Sequence, residues 1–276
     1  MSTQTELSAR GITWLRALTA QDGVLQGTPA TVRVAEAALG DEPASFIAVV
    51  PDPHNRFPRA RNGEVGLEEG WALARQVRKI IAAGKDGARR PIIALVDVSS
   101  QAYGRREELL GVHLACAAAA DAYASARLAG HPVIALLVGK AMSGAFLAHG
   151  YQANRLLALD SPEVMVHAMG KQAAARVTRR SVADLEKLGE RIAPMAYDIR
   201  AYAKLGLLHQ LIEGVDADAP GTADVQRVRE ALLAAIADTR SGARDLSSRL
   251  ASPEAHATRA ASIEVRRRLA EQWDAA

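Results

Sequence analysis

Cysteine is nearly absent: Cys116 is the only one in 276 residues, so no intramolecular disulfide can form and a reduced, cytoplasmic setting is expected. Aromatic residues are scarce too, at three Trp, five Tyr and three Phe. At 4% of the chain they are too few to build the stacking platforms of single-strand binders among basic groups such as Arg89 and Arg90, Arg176, Arg179 and Arg180, or Arg266 to Arg268. Charge of one sign is not in excess either. Lys and Arg number 34 against 31 Asp and Glu, a net of +3, which is no electrostatic footprint for nucleic acid. No run approaches the ~20 apolar residues of a membrane span, and the opening MSTQTELSARG lacks a basic region followed by an apolar stretch. Neither nucleic acid nor membrane is expected as a partner.

What is present is an alternation of strand and helix signals. Strands are read at Ala30 to Ala37 (period-two ATVRVAEA), Ser45 to Val50, Pro91 to Val98, Val133 to Val138, Arg155 to Leu159 and Val164 to His167. Between them the spacing predicts helices over about Leu67 to Ala83, with Leu67, Trp71, Ala74, Val77, Ile80 and Ile81 on one face, and over about Glu107 to Ala129. A further helix is expected to follow the last long strand as far as Gln152, another covers KQAAARVT after Met169 and Gly170, and Ser181 to Leu211 reads as helical with a break at Pro194. After Gly214 the composition shifts to VDADAPGTAD, a linker, and two C-terminal helices are expected, the second capped by Ser252 with Pro253 in its first turn. The alternation defines an α/β fold with a parallel or mixed sheet.

The most informative stretch is HPVIALLVGKAMSGAFLA, His131 to Ala148, where a buried apolar strand empties into a turn of very small residues. Backbone N–H groups in such a turn can hold an anion, or a carbonyl oxygen acquiring charge. The loop Ser99 to Gly104 follows the neighbouring strand, and ligands in open α/β sheets sit beyond the carboxyl ends of strands, where both loops lie. A competing reading takes Ala141 to Ala145, AMSGA, as a serine-hydrolase elbow with Ser143 as nucleophile. Two alanines stand where that strained turn wants glycine, so Ser143 reads better as a polar turn residue. His113 and Cys116 are spaced as HxxC without a second ligand pair, and no metal is expected.

These residues together resemble the crotonase superfamily and, within it, the acyl-CoA carboxyltransferase branch. The likeness is carried by Asp97 with the loop to Gly104 and the Glu107, Glu108 helix start, by Gly139 to Phe146, by Ser161, Pro162 and Glu163, and by Met169 and Gly170. GKAMSGAFLAHGYQANRLLALD and VMVHAMGKQAAARV are similar to the gamma-subunit family of biotin-independent malonate decarboxylases, from about Thr13 to beyond Leu211. Where carboxyltransferases have an aromatic residue, two glycines and alanine, Met142 and Ser143 replace the first two here. The Ser99 to Gly104 loop likewise has Gln101, Ala102 and Tyr103 where glycine and proline are usual.

The resemblance implies a crotonase-like β-β-α spiral with mixed and parallel sheets over residues 1–214, and a linker with a C-terminal helical extension over 215–276. It implies two partners, a homologous beta subunit and an acyl carrier protein subunit. The activity implied is decarboxylation of a malonyl thioester, carried on the CoA-like prosthetic arm of that carrier, to acetyl thioester and CO2. No cofactor bound by this chain and no biotin are expected. By position, the amides of Gly144 and Ala145 are the oxyanion donors, with Ser143 in support. Met142, Ser100, Gln101, Ala102, Tyr103 and Gly104 form the substrate-binding wall. Tyr103, His149, His167 and water are the candidate proton donors. A third reading is a non-catalytic crotonase-like subunit that stabilises its partner.

Overall fold

A computed structural model of the chain describes residues 7–84, 87 and 89–274; the part of the N-terminal reading that falls on residues 1–6 lies outside them. The elements begin with α1 (Arg10–Thr19), the hairpin β1 (Val32–Leu39) and β2 (Glu42–Val49), α2 (Leu67–Ala83) and β3 (Ile92–Val98). Next come α3 (Arg105–Leu109), α4 (Val112–Leu128), β4 (Val133–Met142), α5 (Ser143–Ala148), β5 (Arg155–Leu159) and β6 (Met165–His167). The chain closes with α6 (Lys171–Thr178), α7 (Val182–Arg191), α8 (Ile199–Ala203), β7 (Gln210–Ile212), α9 (Thr222–Ser241), α10 (Pro253–Thr258) and α11 (Ala260–Asp274).

One mixed sheet runs β1-β2-β3-β4-β5-β7, antiparallel between β1 and β2 and parallel at the other strand pairs among the described residues, with β6 pairing the end of β4. Every residue of β3 is buried, as are Val133 to Gly139 of β4, which is what a parallel strand covered on both faces requires. Helix α2 packs on α4, and α1 packs on the strands beside α9. The α2 helix occupies the residues its periodicity predicts and buries Leu67, Leu73, Ala74 and Val77, but Trp71, placed on that face by spacing, is 51% exposed. None of the helices formed by the described residues is long and apolar enough to cross a membrane.

The structure departs from the sequence reading in four places. The helix expected over Glu107 to Ala129 is split, because Gly111 takes φ +84 and ends α3 before α4 starts. Strand β4 continues past Gly139 to Met142, since β6 supplies a partner strand for Lys140, Ala141 and Met142, and the helix after it stops at Ala148. The stretch to Leu211 breaks around Pro194 as expected, into α7, a short 3-10 turn and α8, but its last residues form a strand paired with β5. Among the described residues the C-terminal region holds three helices rather than two. Ser252 caps α10 as expected, its hydroxyl accepting from the Ala255 amide at 3.1 Å. Val228, Leu232, Ala235 and Ile236 of α9 belong to the same core as the sheet.

Candidate active site

The site is built where β3 and β4 end side by side. Gly139 lies against the Asp97 carboxylate so closely that a β-carbon there would collide with Asp97 Oδ1. Asp97 in turn accepts from the amides of Lys140 (3.2 Å) and Gly11 (3.3 Å), tying the end of β4 to α1. Beyond Met142 the backbone turns sharply: Ser143 has φ +57, a left-handed conformation that costs a residue with a β-carbon about 1–2 kcal/mol. Strain of this kind gathers at sites whose geometry the surrounding structure over-determines.

The Ser99 to Gly104 loop is brought to this turn through one side chain. Val65 clamps it from both sides, donating to Ser100 O (3.0 Å) and accepting from the Ala102 amide (2.8 Å). Gln101 then reaches across, and its Oε1 accepts from the Gly144 amide at 2.9 Å. Ala145 is fully buried, as is Ala102, while Met142 is nearly so. Tyr103 points outward, 45% exposed, with the Arg59 guanidinium 4.4 Å above its ring, and Arg59 is held by Glu64 at 3.0 and 3.1 Å. Burial pushes the Glu64 carboxyl above its ordinary range. Gly104 forms the N-cap of α3. Of the sequence-predicted residues, Ser143, Gly144 and His167 border a cavity of about 460 Å³, which the Ser100 to Gly104 loop does not line.

That cavity is walled by Phe146, Leu147, Val166 and Leu207 and carries His167 and Tyr202 as polar groups. His167 stands opposite Met142 across the β4–β6 pair and stacks on Tyr197 with 3.9 Å between ring centroids. Its Nδ1 lies 3.0 Å from Met169 O and 3.2 Å from Met169 N, and burial holds its pKa below the ordinary histidine value. His149 has a different role. It is fully buried, with Nε2 donating to Leu95 O at 2.9 Å and Nδ1 accepting from the Tyr123 hydroxyl at 3.0 Å, and burial lowers its pKa to about 4. Both ring nitrogens are engaged, so His149 is a structural pin and not a proton donor. The Ser143 hydroxyl has no histidine partner among the described residues, and the nucleophile–base pair of a serine hydrolase is not formed.

The residues after β5 are committed to structure. Asp160 is held bidentately by Arg200 at 2.7 and 2.8 Å. Glu163 and Ser161 bind Arg10, which also takes Asp218 at 2.6 and 2.7 Å and Val138 O at 3.3 Å. Arg10 is buried at the meeting point of α1, β4 and the loop before α9. Sequence reading missed it because its partners stand 128 to 208 positions away. The stacking of Tyr197 on His167 left no sequence signal either. Cys116 is half-buried on α4 beside Leu67 and Ala115, and burial lifts its thiol to about 11, as suits a core residue.

The mixed sheet with its covering helices is the fold of the crotonase-like carboxyltransferases. The fold is shared with transcarboxylase 12S, at TM-score 0.58 and 18% identity over 79% of this chain and 37% of that one. At closer range the chain matches a subunit in the crystal structure of a Pseudomonas malonate decarboxylase hetero-tetramer in complex with coenzyme A: 57% identical, TM-score 0.92, covering 96% of this chain and 100% of that one. It is also 38% identical over 188 residues to the malonyl-S-ACP:biotin-protein carboxyltransferase of Malonomonas rubra, 66% of this chain. It spans 64% of the length of that curated relative. Residues 60–273 match the malonate decarboxylase gamma subunit family, and the chain belongs to it.

Proposed function

We propose that this chain is the gamma subunit of a cytoplasmic malonate decarboxylase, acting with a homologous beta subunit on a malonyl thioester carried by an acyl carrier protein. The observation that carries this is the 57% identity, over nearly the whole chain, to a subunit of the Pseudomonas malonate decarboxylase hetero-tetramer. In the reaction the bond between the carboxylate carbon and the methylene breaks and CO2 leaves. The electron pair moves into the thioester as an enolate, and a proton added at carbon gives the acetyl thioester. Negative charge grows on the thioester oxygen, so hydrogen-bond donors fixed around that oxygen bind the transition state more strongly than the ground state.

The oxyanion element on this chain is the Ser143, Gly144, Ala145 turn together with Gln101. Met142 supports the turn, and Ser100, Ala102, Tyr103 and Gly104 carry Gln101 to it, outside the lining of the cavity that holds His167. Of the ionisable candidates for protonating the carbanion, His167 lines the cavity beside the turn and Tyr103 faces solvent at the loop. The chain itself holds no cofactor in this scheme: the prosthetic arm of the carrier brings the substrate, and CO2 is released instead of being passed to biotin. The Malonomonas relative is a malonyl-S-ACP:biotin-protein carboxyltransferase, so the assay includes avidin.

The purified chain alone is expected to be inactive, and addition of the beta subunit and malonyl-carrier is expected to release CO2 at a rate unaffected by avidin. Full activity of the isolated chain would overturn the proposal, and complete inhibition by avidin would replace decarboxylation by carboxyl transfer. A β-carbon on Gly144 would lie 3.2 Å from the Gln101 carboxamide. Gly144→Leu in the intact complex is therefore expected to abolish turnover, and unchanged turnover would leave this chain a structural subunit.

A further inference from the structure

Two facts about the turn stand in tension with backbone donation alone. The Gly144 amide is already bonded to Gln101 Oε1 at 2.9 Å, and Ala145 has no exposed surface. Neither N–H is free to meet a substrate oxygen. The same hydrogen bond has a second effect, which concerns the other end of the carboxamide. An amide N–H must be met by an oxygen, so contact with Gly144 fixes which end of the Gln101 side chain is Oε1 and which is Nε2. The Nε2 group, with its two N–H donors, has no partner among the described residues and is not sealed from solvent.

The rest of the loop holds that group still. Gln101 is clamped at its backbone by the paired bonds of Val65 to Ser100 and Ala102, and its own carbonyl accepts from the Tyr103 amide at 2.9 Å. The absent side chain at position 144 leaves room for the carboxamide, which a β-carbon there would approach to 3.2 Å. Ser143 bears the left-handed strain that turns the Gly144 amide toward Gln101. A donor oriented by a strained turn and a clamped loop, and lacking a partner of its own, is what stabilisation of a developing oxyanion requires.

We infer that Gln101 is a catalytic residue whose Nε2–H donates to the thioester oxygen as it becomes an enolate, and that the Gly144 amide is the positioning group that holds it. This rests on the function proposed above. The side-chain amide replaces a backbone amide as the direct donor, and the loop's departure from glycine and proline at Gln101 becomes its functional feature.

The test uses the complex of this chain with the beta subunit, with malonyl-carrier as substrate. Gln101→Glu keeps an oxygen for the Gly144 amide but removes both N–H donors, and Gln101→Ala removes the side chain and frees the amide. Both are expected to lower kcat roughly 100-fold, with KM moved by less than about threefold. Gln101→Glu at the wild-type rate would make the residue a structural brace and overturn the inference. Gln101→Ala at or above the wild-type rate would make it a plug over the Gly144 amide, which also overturns it. Assembly with the beta subunit, followed by gel filtration, controls for folding; if Gln101→Ala fails to assemble, Gln101→Glu alone decides. A wild-type complex with no malonyl-thioester turnover would remove the proposed function itself, whereas an active wild type with an equally active Gln101→Glu removes only the role of Gln101.

Discussion

Acid sensitivity of this fold should be concentrated in His149. The ring lies under the sheet with no exposed surface, its Nε2–H committed to Leu95 O and its Nδ1 to the Tyr123 hydroxyl. A proton on Nδ1 would break the second bond and place an unpaired charge in apolar surroundings, which is why the pKa falls from 6.5 to about 4. The unfolded chain binds that proton at pH 6.5, the folded chain only near 4. Stability is therefore full above about pH 7 and lost as pH falls from 6.5 toward 4, by about 3 kcal/mol in all and about 2 kcal/mol between pH 7 and 5. Burial also lowers His131, His167 and His209, which tilt the same curve in the same direction. The difference between wild type and His149→Gln isolates the one group. Urea unfolding of both proteins at about pH 7 and about pH 5 should show the variant less stable at the higher pH by about 1–2 kcal/mol and the gap closing at the lower. Parallel pH dependences in the two proteins would refute the assignment.

Three further outcomes follow from the residues around the site. Gly139→Ala drives a methyl group into Asp97 and should break its bonds to Lys140 and Gly11 together, lowering stability by about 2–3 kcal/mol in chemical denaturation; an effect under about 0.5 kcal/mol would mean that Asp97 does not tie β4 to α1. Ser143→Gly should relieve the left-handed strain and raise stability by about 0.5–1 kcal/mol, while the wild-type protein should resist labelling by a fluorophosphonate probe; stoichiometric labelling at Ser143 would restore the nucleophile.

Much of the frame is a local property of the sequence. The strand β5 and the helices α2 and α6 occupy the residues their periodicity marks, because burying one face of a helix or both faces of a parallel strand leaves an apolar pattern in consecutive residues. The small residues Ser143 to Ala145 likewise mark a turn, since close backbone approach needs missing side chains, but it begins at Ser143 and not at Gly139. Pairing was decided elsewhere: β4 runs three residues past Gly139 only because β6 lies beside it, and the last residues of the stretch read as helix form β7 only because β5 has a free edge.

The chemistry of the site divides in the same way. Sequence determined that a strand ends in a small-residue turn beside a second loop, and which family pattern that turn resembles. Only the tertiary structure decided that Gln101 Oε1 takes the Gly144 amide, that His149 is spent on Leu95 and Tyr123, and that Arg10 consumes Glu163 and Asp218. The reason is physical: a donor or acceptor is available for catalysis only if no other group has claimed it, and these claimants stand 26 to 208 positions away in the chain.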